Sequence, residues 1–343
     1  MGANAPVAVA WGKERTVRLV VFAVGTVFLL FFAFGMLAGC ALLNPSMEPS
    51  EVAKAVTPEI DEASVREHLE HLTGEAPVSL EGGEKKTTIS ERGSEKGRKA
   101  AAEYMEASFE EAGVPARILP FDAQAERGYN VEATLEGTGG EKHLWVTAHM
   151  DSVNNAGAED NASGLVMLLL AAKALEGIEM EHTVHFVAYD LEEIGLVGSY
   201  KYLWAEVLPL REREGEEAII GNINADMIGY EEDEFNAVVS SCKPTGPLDE
   251  ALVQASEAVD PTLALREVCT SRLRSDSDHG EFLNEGLPAV LLVDGAKWDD
   301  YPCYHKPCDT ADKVNVAYLR TMTRLVATAS GLLAVAEPGP SAG

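Results

Sequence analysis

Past residue 58, apolar residues fall into two patterns. One has spacings of three and four, the mark of an amphipathic helix; the other is short, nearly unbroken apolar runs, the mark of a buried strand. The helical spacing predicts a short helix over Ile60–Leu72 and a strong one over Ser94–Ala112, stopped by Gly113-Val114-Pro115. Gly74–Gly93 between them is polar and glycine-rich and reads as a loop. Strands are expected at Ala116–Phe121, Tyr129–Leu135 and His143–Ala148, then a buried helix over Ser163–Leu175 and a strand at Thr183–Tyr189. A helix near Ser199–Ala205, strands at Ala218–Ala225 and Ala237–Ser240, and a helix over Leu248–Val259 follow. The remainder reads as strand Leu263–Val268, helix His279–Asn284, strand Ala289–Val293 and a terminal helix Val314–Ala334. This alternation predicts an α/β fold, three layers αβα around a mixed sheet, with no internal repeat.

The first 58 residues follow neither pattern. Lys13, Arg15 and Arg18 precede an uncharged apolar run from Leu19 to Ala38, which predicts an N-terminus inside and the rest of the chain outside. The run ends Leu37-Ala38-Gly39-Cys40. That is similar to the bacterial lipoprotein signal, in which Cys40 would carry the lipid and become the mature N-terminus. An uncleaved anchor helix is the alternative, since about 20 apolar residues suffice to span a membrane. Residues 1–39 are thus expected to be a signal peptide or membrane anchor, 40–58 a tether, 59–336 one domain and 337–343 a disordered tail.

Charge and cysteine content narrow the setting. The formal net charge of −29 over 343 residues excludes nucleic acid as a partner, because phosphate binding needs a basic face. Five cysteines less Cys40 leave four: Cys242, Cys269, Cys303 and Cys308. An even number suits an oxidising compartment, and nearest-neighbour pairing would join Cys242 to Cys269 and Cys303 to Cys308.

Candidate chemistry gathers at element ends. His149 and Asp151 follow a strand, and Asp160 precedes a helix. Asp190-Leu-Glu192-Glu193 follows the strand ending at Tyr189, and Asp226 follows the one ending at Ala225. Ser277-Asp278-His279 opens a helix, and His305 sits in Tyr301-Pro-Cys-Tyr304-His-Lys-Pro-Cys-Asp309. Singly, each has a structural explanation. Asp160 suits an N-cap, the glutamates a solvated turn, His149 a core histidine and His279 a cap of its own helix. Asp226 is harder to explain, since Asp is depleted beside apolar strand residues. Together, two imidazoles and three carboxylates at strand ends suit two Zn²⁺ ions sharing a bridging carboxylate and water. One carboxylate must stay off the metals as general base, and the adjacent glutamates can supply both a ligand and a base.

These pieces resemble the secreted co-catalytic di-zinc aminopeptidases, metallopeptidase family 28, relatives of glutamate carboxypeptidase II and the glutaminyl cyclases. AHMDSV, GAEDNASG, DLEEIGLVGS, NADMIG, SDHGEF-LNEGLPAVLL and YHKPCDT carry the resemblance, in order, from Asn130 to about Ala334. It implies a zinc exopeptidase (phosphorylase/hydrolase-like) fold and a peptide substrate with a free N-terminus. It further implies that His149, Asp160 and Asp226 hold one zinc and that Asp160, Glu193 and His305 hold the other. Asp151 would orient His149, Glu192 would act as general base and Tyr304 would hydrogen-bond the oxyanion. Cys303 and Cys308 depart from the commonest pattern; a disulfide there would fix His305, and direct zinc ligation by a cysteine is the competing reading. The expected protein is an exported, membrane-tethered zinc aminopeptidase. Its rivals are a carboxypeptidase or dipeptidase on the same scaffold, a glutaminyl cyclase and a non-catalytic binding module.

Overall fold

The computed structural model describes residues 47–80, 85–123, 126–139, 142–230, 237–240, 246–263, 265–267, 275–294 and 301–335. Its strands are β1 Val78–Leu80, β2 Lys85–Thr87, β3 Ala116–Ala123, β4 Glu126–Leu135, β5 His143–His149 and β6 Thr183–Tyr189. They continue with β7 Ile219–Ala225, β8 Ala237–Ser240, β9 Leu265–Glu267 and β10 Ala289–Val293. The helices are α1 Pro49–Val56, α2 Glu62–Thr73, α3 Glu95–Glu111, α4 Ser163–Leu175, α5 Val197–Tyr202, α6 Leu208–Glu214, α7 Pro247–Val259, α8 His279–Asn284 and α9 Val316–Ala334.

Eight strands form one sheet in the order β3-β4-β6-β5-β7-β10-β8-β9. The inner four, β6, β5, β7 and β10, are parallel; the pairs β3–β4, β4–β6 and β10–β8 are antiparallel, so the sheet is mixed. Alternation along β5 explains its two-sided burial. Leu144, Val146 and Ala148 enter the larger core with α1, α2, α3, α4, α7 and α9, while Trp145 enters the smaller one with α5, α6 and α8. A strand covered on both faces reads as a continuous apolar run. Helix α4 is buried from Ser163 through Ala172, because it lies between the sheet and α9.

The parallel core decides where chemistry can sit. The connection from β5 leads to β6 on one side, and β7 then pairs on the other. The strand order therefore reverses at β5, and such a reversal opens a crevice beyond the carboxyl ends of the strands. His149 ends β5, Asp190 follows β6, Asp226 follows β7 and Asp294 follows β10, all at that edge.

The structure corrects the expected tether. Residues 49–56 form α1, followed by a 3-10 turn at Thr57–Glu59, and Val52 and Val56 are fully buried against α9. Pro49 at the helix start, a Glu48–Glu51 capping box and apolar residues four apart fix this helix, which is too short to stand out by periodicity. The folded part thus reaches back past residue 59. The expected loop at Gly74–Gly93 contains the β1–β2 hairpin, and the helix near Ser199–Ala205 runs as α5, a π turn at Leu203–Val207 and then α6. Among the described residues no helix is long and apolar enough to cross a membrane. The apolar run before Cys40, the Cys242–Cys269 pairing and the tail at 337–343 lie outside the described residues.

Candidate metal centre

Asp160 is the hub. The turn Ala158–Ala162 departs from helical geometry at Asp160 and Asn161, which are joined by a cis peptide bond. Asn161, not Asp160, takes the capping role, its Oδ1 accepting the Gly164 N–H at 2.9 Å. The Asn161 Nδ2 also donates to Ala225 O at 3.0 Å, tying this turn to the end of β7. The Asp160 carboxylate is therefore left to other partners. Its Oδ1 lies 3.1 Å from His149 Nε2 and its Oδ2 lies 3.2 Å from His305 Nε2.

Two groups of three form around it. His149 Nε2 is also 3.3 Å from Asp226 Oδ1, and His305 Nε2 is also 3.0 Å from Glu193 Oε2. His149–Asp160–Asp226 and Asp160–Glu193–His305 each bring their donor atoms within 4.8 Å of one another. All five ligand candidates from the sequence are thus together. His149, Asp160 and Asp226 are buried, whereas the His305 side chain is 39% exposed at the mouth. A third group, His149–Glu192–Glu193, places the Glu192 carboxylate at the same crevice.

Asp151 does something the sequence did not predict. Its Oδ1 accepts the Glu192 N–H at 3.0 Å and its Oδ2 accepts the Glu193 N–H at 3.1 Å. It therefore fixes the turn that carries both glutamates. It also faces His149 Nδ1 at 3.6 Å, an ion-pair distance beyond hydrogen-bond reach. Asp309 works in the same manner, its carboxylate accepting the N–H groups of Glu159 and Asp160 at 2.8 and 3.2 Å and the Tyr301 hydroxyl at 2.9 Å.

His305 lies in a loop closed by the Cys303–Cys308 disulfide. Its φ is +53°, a conformation that costs energy for a residue with a Cβ and that its surroundings must hold. The Tyr304 ring stacks on the His305 imidazole, centroids 3.9 Å apart. Leu191 and Met227, directly beside Glu192 and Asp226, also have positive φ. His279 is fully buried in the first turn of α8 and belongs to none of the three donor groups.

Buried acids crowd the crevice. Burial pushes up the carboxyls of Glu159, Glu192, Glu193 and Asp309, that of Asp278 to about 7 and that of Asp190 to about 8. The two imidazoles are shifted toward the charged form. Hydrogen bonds to Asp160 and Glu193 raise His305 to about 10, while for His149 the pull of Asp226 and Glu192 outweighs burial. Oxygen and nitrogen donors in two groups of three sharing one carboxylate match the hard-to-borderline donor set of zinc pairs. The residues present therefore fit bound zinc.

Fold and crevice define an α/β protein whose acidic, histidine-bearing cleft lies at the carboxyl edge of a parallel core. The sequence profile of Peptidase family M28 matches residues 130–330. The chain belongs to that family. It is 29% identical over 329 residues to leupeptin-inactivating enzyme 1 of Streptomyces exfoliatus, covering 90% of this chain and 70% of that protein. It is 28% identical over 211 residues to a probable leucine aminopeptidase of Arthroderma benhamiae, covering 57% of this chain and 55% of the relative. The structure of a zinc aminopeptidase from Bacillus subtilis superimposes with a TM-score of 0.69 at 14% identity, over 82% of this chain and 97% of that one. A glutaminyl cyclase from Fimbriiglobus ruber superimposes with a TM-score of 0.61 at 18% identity, over 80% and 95%. Two reactions thus share this fold, and the site has to decide between them.

Two buried arginines escaped the sequence reading. Arg98 pairs with Asp190 at 3.2 Å, while Arg92, in the expected loop, donates to the backbone of the segment between His149 and Asp160. An arginine in a polar stretch looks solvated, and no local signal separates these two from exposed ones.

Proposed function

We propose that this chain is a two-zinc exopeptidase that removes N-terminal residues from peptides, held outside the cytoplasm by its N-terminal segment. The observation that carries the catalytic reading is the Asp160 carboxylate, with one oxygen beside each of two imidazole-containing groups. His149, Asp160 and Asp226 would hold one zinc, and Asp160, Glu193 and His305 the other. Bound zinc supplies a Lewis acid and lowers the pKa of water.

The chain's own residues supply the remainder. Glu192 reaches the crevice without belonging to either Asp160-centred group, as a general base must. It takes a proton from the attacking water and returns it to the leaving amine. Asp151 holds the backbone on which Glu192 and Glu193 stand. Tyr304, stacked on His305 at the mouth, is the hydroxyl we assign to the developing oxyanion.

A cyclase needs one metal and no attacking water, so two complete donor groups favour hydrolysis. The test is zinc per chain by elemental analysis, with turnover of matched free-amine and acyl-blocked peptides. Two zincs and hydrolysis of only the free-amine peptides are expected. Release from the carboxyl end would make it a carboxypeptidase, cyclisation of N-terminal Gln with one zinc a cyclase, and no turnover a binding module.

Tethering rests on the basic flank, the apolar run and Leu37-Ala38-Gly39-Cys40. Cys40→Ser should abolish lipid attachment and processing at that residue. Unchanged mass and membrane attachment would favour the anchor helix instead.

A further inference from the structure

Arg92 is fully buried, and among the described residues each hydrogen bond of its guanidinium goes to a backbone carbonyl. Nε donates to Met150 O, Nη1 to Leu72 O and Ala156 O, and Nη2 to Gly157 O, all at 2.7 Å. Three of those four acceptors lie on the connector between His149 and Asp160. The backbone of Arg92 engages the same connector. Its N–H donates to Ser152 Oγ at 3.0 Å, and its carbonyl accepts the Ser152 N–H at 3.3 Å. No carboxylate among the described residues lies within ion-pair distance of it, although the charges of Asp309, Asp160, Asp151 and Glu193 act on it.

A buried cation without a contacting anion is expensive and needs a reason beyond filling space. The guanidinium fork can donate in fixed directions to several acceptors at once, which neither a lysine nor a neutral side chain can reproduce. We infer that Arg92 is a positioning residue for the metal site. It holds the connector at the length and shape that set His149 against Asp160, the residue shared by both donor groups. This rests on the zinc reading above.

The test compares Arg92→Lys with Arg324→Lys in the full chain. Arg324 is a fitting control because it too donates to backbone carbonyls, those of Ile60 and Thr57, away from the crevice. Metal-free protein is titrated with Zn²⁺ against a chromophoric chelator, and its melting temperature is recorded. Arg92→Lys should bind zinc at least tenfold more weakly, whereas Arg324→Lys should lose stability and keep wild-type zinc affinity. Equal affinity within twofold in wild type and Arg92→Lys would overturn the inference and leave Arg92 a packing residue. A wild type that binds no zinc would instead overturn the proposed function. If Arg92→Lys does not fold, Ser152→Ala, which removes the hydroxyl bonded to the Arg92 N–H, decides by the same titration.

Discussion

Glu192 and Glu193 are adjacent and chemically alike, yet the crevice gives them different partners. The Glu193 Oε2 is 3.0 Å from His305 Nε2 in a group with Asp160, while Glu192 joins a group with His149. Both backbone N–H groups are held by Asp151, so replacing either carboxylate with its amide leaves the chain in place. On the proposed mechanism, Glu192→Gln removes only the proton acceptor. Loss of a general base costs roughly 10²–10⁴ in rate, or about 2.7–5.5 kcal/mol of barrier. The loss should fall on kcat with KM little changed and two zincs retained. Glu193→Gln should instead release the zinc shared with Asp160 and His305, and added Zn²⁺ should restore part of the activity. The assay pairs zinc per chain with kcat and KM on a free-amine peptide. If Glu192→Gln sheds a metal and Glu193→Gln keeps two, the assignment is reversed. If neither lowers hydrolysis by about tenfold, the mechanism is wrong.

Glu132 tests the electrostatics of the smaller core. Burial pushes its carboxyl up, but hydrogen bonds from His185, Tyr202 and Arg117 outweigh this and bring it down to about 2 from an ordinary 4.5. A depressed folded-state pKa gives stability that is full above about 4.5 and is lost as pH falls toward 2. The slice is about 3 kcal/mol at 1.36 per unit. Urea unfolding at pH 7, 4 and 3 should show Glu132→Gln less stable at pH 7 by a comparable amount, with a flatter acid limb. The Cys303–Cys308 bridge closes a short loop, worth about 2 kcal/mol by chain entropy. Cys303→Ser should lower zinc affinity at His305 more than global stability, read as one chelator-labile zinc per chain. Equal retention of both zincs would refute a role for the bridge in holding His305.

Much of the site could be read from the chain because its geometry follows from local rules. Apolar runs ending at Ala148, Tyr189 and Ala225 read as buried strands, and in the fold these strands are parallel and end on one edge. The acids and imidazole that follow those runs must therefore meet. The sequence reading offered Asp160 as the N-cap of α4, and its neighbour Asn161 is an equally good cap by residue type. Only the folded turn shows Asn161 taking that bond and freeing Asp160.

The sequence by itself determined the layered α/β class, the strand ends that carry chemistry and the residue types available there. Periodicity and turn chemistry act over a few residues, and these features are written at that range. Tertiary structure alone decided that Asn161 takes the cap and leaves Asp160 free for both donor groups, that Asp151 holds the glutamate turn and that Arg92 grips the His149–Asp160 connector. It also turned part of the expected tether into α1, whose buried face packs on α9, α7 and α4, all far along the chain. The physical reason is separation along the chain. Arg92 and Gly157 are 65 residues apart, and Asp309 and Glu159 are 150 apart. No local pattern encodes a partner at such distances; the sheet order brings them together.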